Sequence, residues 1–174
     1  MTASMASAPP PADCEAIRQV IYRYCRGIDR CDREALQSCY WPDAIDDHAA
    51  FVGPAGEFIE LALAAVRPMV TQHMIGNLLI ESRGPESSVV ESYFQATHRL
   101  PAEARGEQME WTLFGRYLDR FERRDGEWRI LHRLVAVDHE RRMPVTPPDP
   151  GFQPRADVIG GNKPDDPLYR FLLG

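Results

Sequence analysis

No part of the chain is apolar for long enough to cross a bilayer. The best candidate, "LALAAV", runs into Arg67 and Pro68, whereas a spanning helix needs about 20 apolar residues. The opening "MTASMASAPPPAD" has no basic segment followed by an apolar one. No secretory signal is therefore expected, and a cytoplasmic location is the default expectation. Positive charge is in deficit: 20 Lys and Arg stand against 26 Asp and Glu, a formal net charge of −6. That balance argues against nucleic acid or an anionic membrane as the partner. Cysteine is scarce, with Cys14, Cys25, Cys31 and Cys39 as the four in the chain. They have no CxxC spacing and no clustered histidines beside them, so no metal site is expected and the thiols read as reduced and mostly buried.

What remains is ordinary globular material. The 174 residues are 44% hydrophobic and 26% charged, which suits one soluble domain with a real core. Residues 1–11 are small, polar and proline-rich and read as a disordered N-terminus. Residues 12–142 carry the domain. Its first helix is expected to start near Asp13 as N-cap, with Ile17, Val20, Ile21, Tyr24 and Ile28 on one stripe. Asp29 lies near its end. A short helix, "DREALQSCY", follows from Asp32, then a strand with a turn, "WPDAIDDHAAFVGPAG". A third helix, "EFIELALAAV", ends around Pro68.

The period then changes to two. Strands are read in "HMIGNLLIE", "SSVVESYFQATHRL", "EQMEWTLFGRYLDRFERR" and "EWRILHRLVAVDHE". Asp125-Gly126 is a strong two-residue hairpin signal between the last two. Three N-terminal helices on one face of a strongly curved antiparallel sheet give an α+β fold, a cone-shaped α+β barrel. Residues 143–174 hold seven prolines and four glycines and cannot be regular for long. This proline-rich tail is expected over the pocket mouth or on a neighbouring subunit.

Four polar residues stand on faces that the pattern makes apolar. Tyr24 lies on the stripe of the first helix. His73 shares a strand face with Ile75 and Leu79, His98 with Phe94 and Ala96, and Tyr117 with Trp111 and Leu113. Each alone could be a satisfied core residue. Burying several requires a partner for each. If they converge on one cavity they can serve one another or a ligand, in the way of a small-molecule site.

Three segments carry a resemblance: "IRQVIYRYCRGIDRCDREALQSCYWPDA", "TQHMIGN" and "YLDRFERRDGEWRILHR". In this order and spacing, over residues 12–140, the chain resembles the SnoaL-like branch of the nuclear transport factor 2-like superfamily. It is similar to the subgroup holding scytalone dehydratase, bile acid 7α-dehydratase and hexachlorocyclohexane dehydrochlorinase. The resemblance implies cofactor-independent elimination, with His73 as base and Asp29 as its paired carboxylate. It further implies functional places for Tyr24 and Arg133, and a second histidine in His98. Two departures concern the substrate. Tyr24 stands where the dehydrochlorinase has lysine, and Gly115 and Tyr117 replace the serine and asparagine of the scytalone enzyme's substrate strand.

The residue types suit that chemistry in their own right. An imidazole titrates near operating pH, and a buried carboxylate fixes its tautomer and stabilises the imidazolium. Tyr24 would donate to a carbonyl or leaving oxygen. Arg133 would stabilise developing negative charge, or else face solvent, since Arg129 alternates on the same face. His98, Tyr117, His48, Trp111 and Phe94 would line the substrate pocket. "DDH" at His48 looks like a metal cluster but lacks supporting ligands. The expected activity is a cofactor-independent dehydratase-type lyase acting on a hydroxylated cyclic or polycyclic hydrophobic molecule. A double-bond isomerase of ketosteroid type is the alternative, as is a non-catalytic small subunit like that of aromatic-ring dioxygenases. The resemblance further implies a homo-oligomer, a trimer first and a dimer next.

Overall fold

The apolar stripe from Ile17 to Ile28 becomes the buried face of α1, Pro11–Asp29. The helix begins two residues before Asp13, and no side chain caps it. Pro11 opens it instead, because the first turn has no use for a backbone N–H and proline's fixed φ already suits a helix. Asp13 sits in the first turn, favourably placed against the helix dipole, and accepts a hydrogen bond from Trp128 Nε1 at 2.9 Å. The computed structural model describes residues 7–102, 106–146 and 149–173. Residues 1–6 of the expected disordered terminus lie outside these. Residues 7–10 lead into α1, with Ser7 O accepting from Ser82 N.

Asp32 caps α2 (Arg33–Gln37), its carboxylate accepting from Ala35 N. β1 (Tyr40–His48) and β2 (Phe51–Pro54) form a hairpin turning at Ala49. α3 follows at Ala55–Val66. The meander is β3 (Val70–Ser82), β4 (Ser87–Arg99), β5 (Met109–Arg124) and β6 (Glu127–Pro144). Asp125 and Gly126 join β5 to β6 with φ of 51° and 86°, both positive as a type I′ turn requires. Among the described residues no helix is long and apolar enough to cross a membrane.

The strands make one sheet in the order β2-β1-β6-β5-β4-β3. Every pairing is antiparallel except β1 with β6, which is parallel. The chain between those two strands passes through β2, α3 and strands β3 to β5, ample length for a parallel connection. The α1 stripe packs with Ile80, Val90, Phe121, Trp128 and Ile130 of the sheet into one core cluster. All four cysteines are free and buried.

Bulges curve this sheet and reassign faces. In β3, Ile75 pairs with Phe94 but Leu78 with Ser92, so β3 carries one extra residue at Gly76–Asn77. One extra residue inverts the side-chain alternation. Leu79, expected beside His73, therefore points outward and is exposed, while Ile80 is buried. In β6, Arg120 pairs with His132 but Phe121 with Ile130, leaving Leu131 as the extra residue. Arg133 is thereby turned to the interior, away from the face that Arg129 keeps. It is fully buried. A third bulge, at Asp138, separates the Phe114–His139 and Gly115–Val137 pairs.

Arg133 meets Asp119 in a two-pronged pair, Nε and Nη2 each donating to a carboxylate oxygen at 2.7 Å. Its guanidinium lies between the rings of Tyr24 and Tyr117, 4.1 Å from each centroid. Burial opposes the charge on Arg133, but Asp119 outweighs burial and holds the guanidinium protonated.

The tail lies on its own chain. Lys163 donates from its backbone N to Arg30 O at 2.7 Å and from Nζ to Asp32 and Glu34. Tyr169 O–H donates to Asp32, Asn162 to Arg67 O, and Arg30 pairs with Asp166. A short helix, α4 (Pro167–Phe171), ends this segment.

Removing one member of the buried pair strands the other. Asp119→Ala is expected to lower stability by about 3–5 kcal/mol, read by urea denaturation. Adding Arg133→Met to it should recover a large part of that loss, because an apolar side chain needs no partner.

Candidate active site

Asp29 is the last residue of α1, where the helix dipole disfavours an acidic side chain. β3 compensates. Thr71 Oγ1 donates to Asp29 Oδ1 at 2.8 Å, and the backbone N of His73 donates to Oδ2 at 2.9 Å. His73 Nδ1 lies 2.7 Å from Oδ1. Burial by itself raises the pKa of Asp29. The hydrogen bonds and charge of His73, with help from Thr71, outweigh it and hold the carboxyl below its ordinary range. An ionised carboxylate can only accept, which assigns the proton to Nδ1 and leaves Nε2 as the basic nitrogen.

His73 stands on the wall of a cavity of about 220 Å³. Its polar lining is Tyr24, His48, His73 and His98, with Trp111 beside them. Ile28, Phe58, Val66, Met69 and Leu113 supply the apolar wall. Helices α1 and α3, the α3–β3 connection and strands β1, β3, β4 and β5 thus all reach it. None of the described tail residues is among its lining residues.

His98 meets His73 edge to face, ring centroids 5.6 Å apart, and lies 5.3 Å from the Trp111 ring. Its Nδ1 is buried without a partner among the described residues. Burial pushes the His98 imidazole down, and neighbouring His73 adds to that. His98 therefore stays neutral, free to donate to or accept from a ligand. Burial pushes the Tyr24 phenol far up, with Arg133 opposing, so Tyr24 stays a protonated donor.

Four of the expected site residues are not in the cavity lining: Asp29, which stands behind His73, and Arg133, Tyr117 and Phe94. Arg133 is not among the lining residues and is committed to Asp119 behind the Tyr24 ring. The Leu131 bulge put it inside, and the pair with Asp119 keeps it in the core. Tyr117 and Phe94 stack on each other at 4.4 Å in the core. Phe94 is drawn there by Gly115: a Cβ at 115 would sit 2.9 Å from Phe94 Cζ and 2.3 Å from Ala136 O. The missing side chain is space that the Phe94 ring fills.

Other contributors were not anticipated. Thr71 donates to Asp29 and sits two residues before His73 on the same face. Asp119 falls at an inward position between Tyr117 and Phe121, a signal visible in the alternation. Asp46 is fully buried and accepts from Tyr40 O–H at 2.6 Å, and its other oxygen lies 3.2 Å from His48 Nδ1. Met69 lies in a connection and gave no pattern to read.

A family profile described as the SnoaL-like domain matches residues 11–134. A comparison with curated protein sequences finds no match. Solved structures share the fold. A type 2 hexachlorocyclohexane dehydrochlorinase is 21% identical with a TM-score of 0.70, covering 81% of this chain and 96% of its own. A candidate scytalone dehydratase from Novosphingobium aromaticivorans is 20% identical with a TM-score of 0.67, covering 83% and 96%. A protein of unknown function from Mycobacterium tuberculosis is 26% identical with a TM-score of 0.62, covering 73% and 77%.

The depressed pKa of Asp29 makes stability depend on pH. Below the ordinary value of 3.8 the unfolded chain binds the proton first. The stabilisation is therefore complete above that value and is lost as pH falls through the lower folded one. Denaturation curves taken from neutral pH downward should show wild type losing more stability across the carboxylate range than Asp29→Asn. The variant should start less stable at neutral pH.

Proposed function

The chain belongs to the SnoaL-like domain family, and on that footing we propose that it is a lyase whose His73–Asp29 dyad removes a C–H proton so that water can leave a hydroxylated cyclic substrate. The observation that carries this reading is the 2.7 Å contact between Asp29 Oδ1 and His73 Nδ1 at the wall of an apolar cavity. Asp29 holds the ring and stabilises the imidazolium as it forms. His73 Nε2 takes the proton, and the C–H electron pair becomes the new double bond as the C–O bond breaks. Tyr24 donates to a substrate oxygen, and neutral His98, braced by Trp111, orients the ring system. Arg133 acts on the site only through Tyr24, as a fixed charge against its ring face. The steps move only protons and electron pairs, so the chemistry needs no cofactor.

The cavity of about 220 Å³ is smaller than the usual ligand pocket of about 300–1,000 Å³. A compact one- or two-ring substrate fits this better than a large polycyclic one. A non-catalytic subunit would be expected to have a filled cone, and a cavity reaching the dyad weighs against that. Double-bond isomerisation is the second reading, favoured by His98 lying edge to face with His73, where it could return the proton elsewhere on the substrate. A homo-oligomer, trimeric or dimeric, belongs to the same reading, and light scattering on purified protein would measure it.

Mass spectrometry of hydroxylated cyclic ketones incubated with the protein would detect loss of water. His73→Ala is expected to lower turnover of an identified substrate by about 10²–10⁴-fold with the fold intact by circular dichroism. Turnover unchanged in that variant would end the proposal. In deuterated water, an isomerase product keeps its oxygen and a dehydratase product does not.

A further inference from the structure

The cavity holds a second imidazole–carboxylate pair. His48 lines the cavity from β1, its ring stacked on Phe58 of α3 at 4.4 Å. Its Nδ1 lies 3.2 Å from Asp46 Oδ1, and Tyr40 O–H donates to Asp46 Oδ2 at 2.6 Å. The Asp46 side chain is fully buried, whereas His48 is 31% exposed. A histidine that only covered the cavity rim would need none of this. Burying a carboxylate is costly, and here a buried tyrosine hydroxyl is spent on holding it behind one imidazole. Asp46 accepts at both oxygens, so His48 carries its proton on Nδ1 toward the carboxylate. Nε2 is the nitrogen left for a ligand.

The sheet order sets the relation between the two pairs. β1, carrying His48, and β3, carrying His73, lie near opposite ends of the six-stranded order. Curvature brings both ends onto the same 220 Å³ cavity. A compact substrate between them would meet a base on one side and a second imidazole on the other.

We propose that His48 is the general acid of the elimination, protonating the departing oxygen, with Asp46 and Tyr40 as its positioning residues. This rests on the reading of His73 as the base. The step balances. The C–H proton goes to His73 Nε2, and its electron pair forms the double bond. The C–O bonding pair leaves on oxygen, and His48, entering the step as the imidazolium with an N–H on each nitrogen, gives its Nε2 proton to make that oxygen water. Afterwards His73 is the imidazolium and His48 keeps only its Nδ1 proton, and exchange with solvent, which His48 reaches, restores both.

The test separates protonation of the leaving group from everything else. 3-Hydroxycyclohexanone and 3-chlorocyclohexanone both give cyclohex-2-enone, followed by its absorbance after subtraction of the buffer rate. Hydroxide is a poor leaving group without a proton, and chloride needs none. H48Q is expected to lower kcat/KM on the hydroxy probe by about 10²-fold or more while leaving the chloro probe within about threefold. D46N should show the same split more weakly, and H73A should lose both probes. Equal losses on both probes in H48Q, or no loss on either, would overturn the assignment of His48 while the base reading stands. H73A retaining both would sink the base reading, and the acid role that rests on it falls too. Wild type turning over neither probe overturns the elimination and the acid role together.

Discussion

The carboxylate of Asp29 joins the end of α1 to the edge strand β3 through three hydrogen bonds, from Thr71, from the His73 backbone and from the His73 ring. The site depends on this junction. It sets where the helix ends relative to the sheet, and hence how wide the cavity between α1 and β3 stands. It fixes the tautomer of His73 and the direction of its free nitrogen. An acidic residue at a helix C-terminus is disfavoured by the dipole, and its partners all come from one short stretch of β3. Helix docking and the orientation of the His73 ring therefore rest on the same oxygen atoms.

Among the described residues, three acidic side chains at the cavity wall and in the core behind it each have a cationic or imidazole partner. Asp29 faces His73, Asp46 faces His48, and Asp119 faces Arg133. The first two border the cavity, where imidazoles can exchange protons near neutral pH. The third is sealed in the core between two tyrosine rings, and a guanidinium cannot give up its proton there. The division matches the materials: groups that can move a proton line the cavity, and the permanent ion pair stiffens the wall behind Tyr24.

Much of this was legible beforehand. The stripe of α1, the Asp125-Gly126 turn and the long alternations of β4 and β5 follow from local periodicity and turn chemistry. Tyr24, His73 and His98 stood out as polar intruders on apolar faces, and with Trp111 and His48 they do meet in one cavity. The alternation makes Tyr117 and Phe94 pocket residues and leaves Arg133 either stabilising negative charge or facing solvent, and none of the three lines the cavity. Their places depend on a bulge at Leu131, on a partner fourteen residues away in Asp119, and on the space left by Gly115. No local period contains that information.

The sequence by itself determined the fold class, the elements and the residue types able to do acid–base work, because side-chain periodicity and turn preferences are local properties. Tertiary structure alone decided which of those residues share a cavity. A one-residue bulge reverses every later side chain in a strand, and pairings such as β1 with β6 link segments some ninety positions apart. Only closure of the curved sheet places His48 and His73 on one cavity, and only the Leu131 bulge and the pair with Asp119 keep Arg133 in the core away from it.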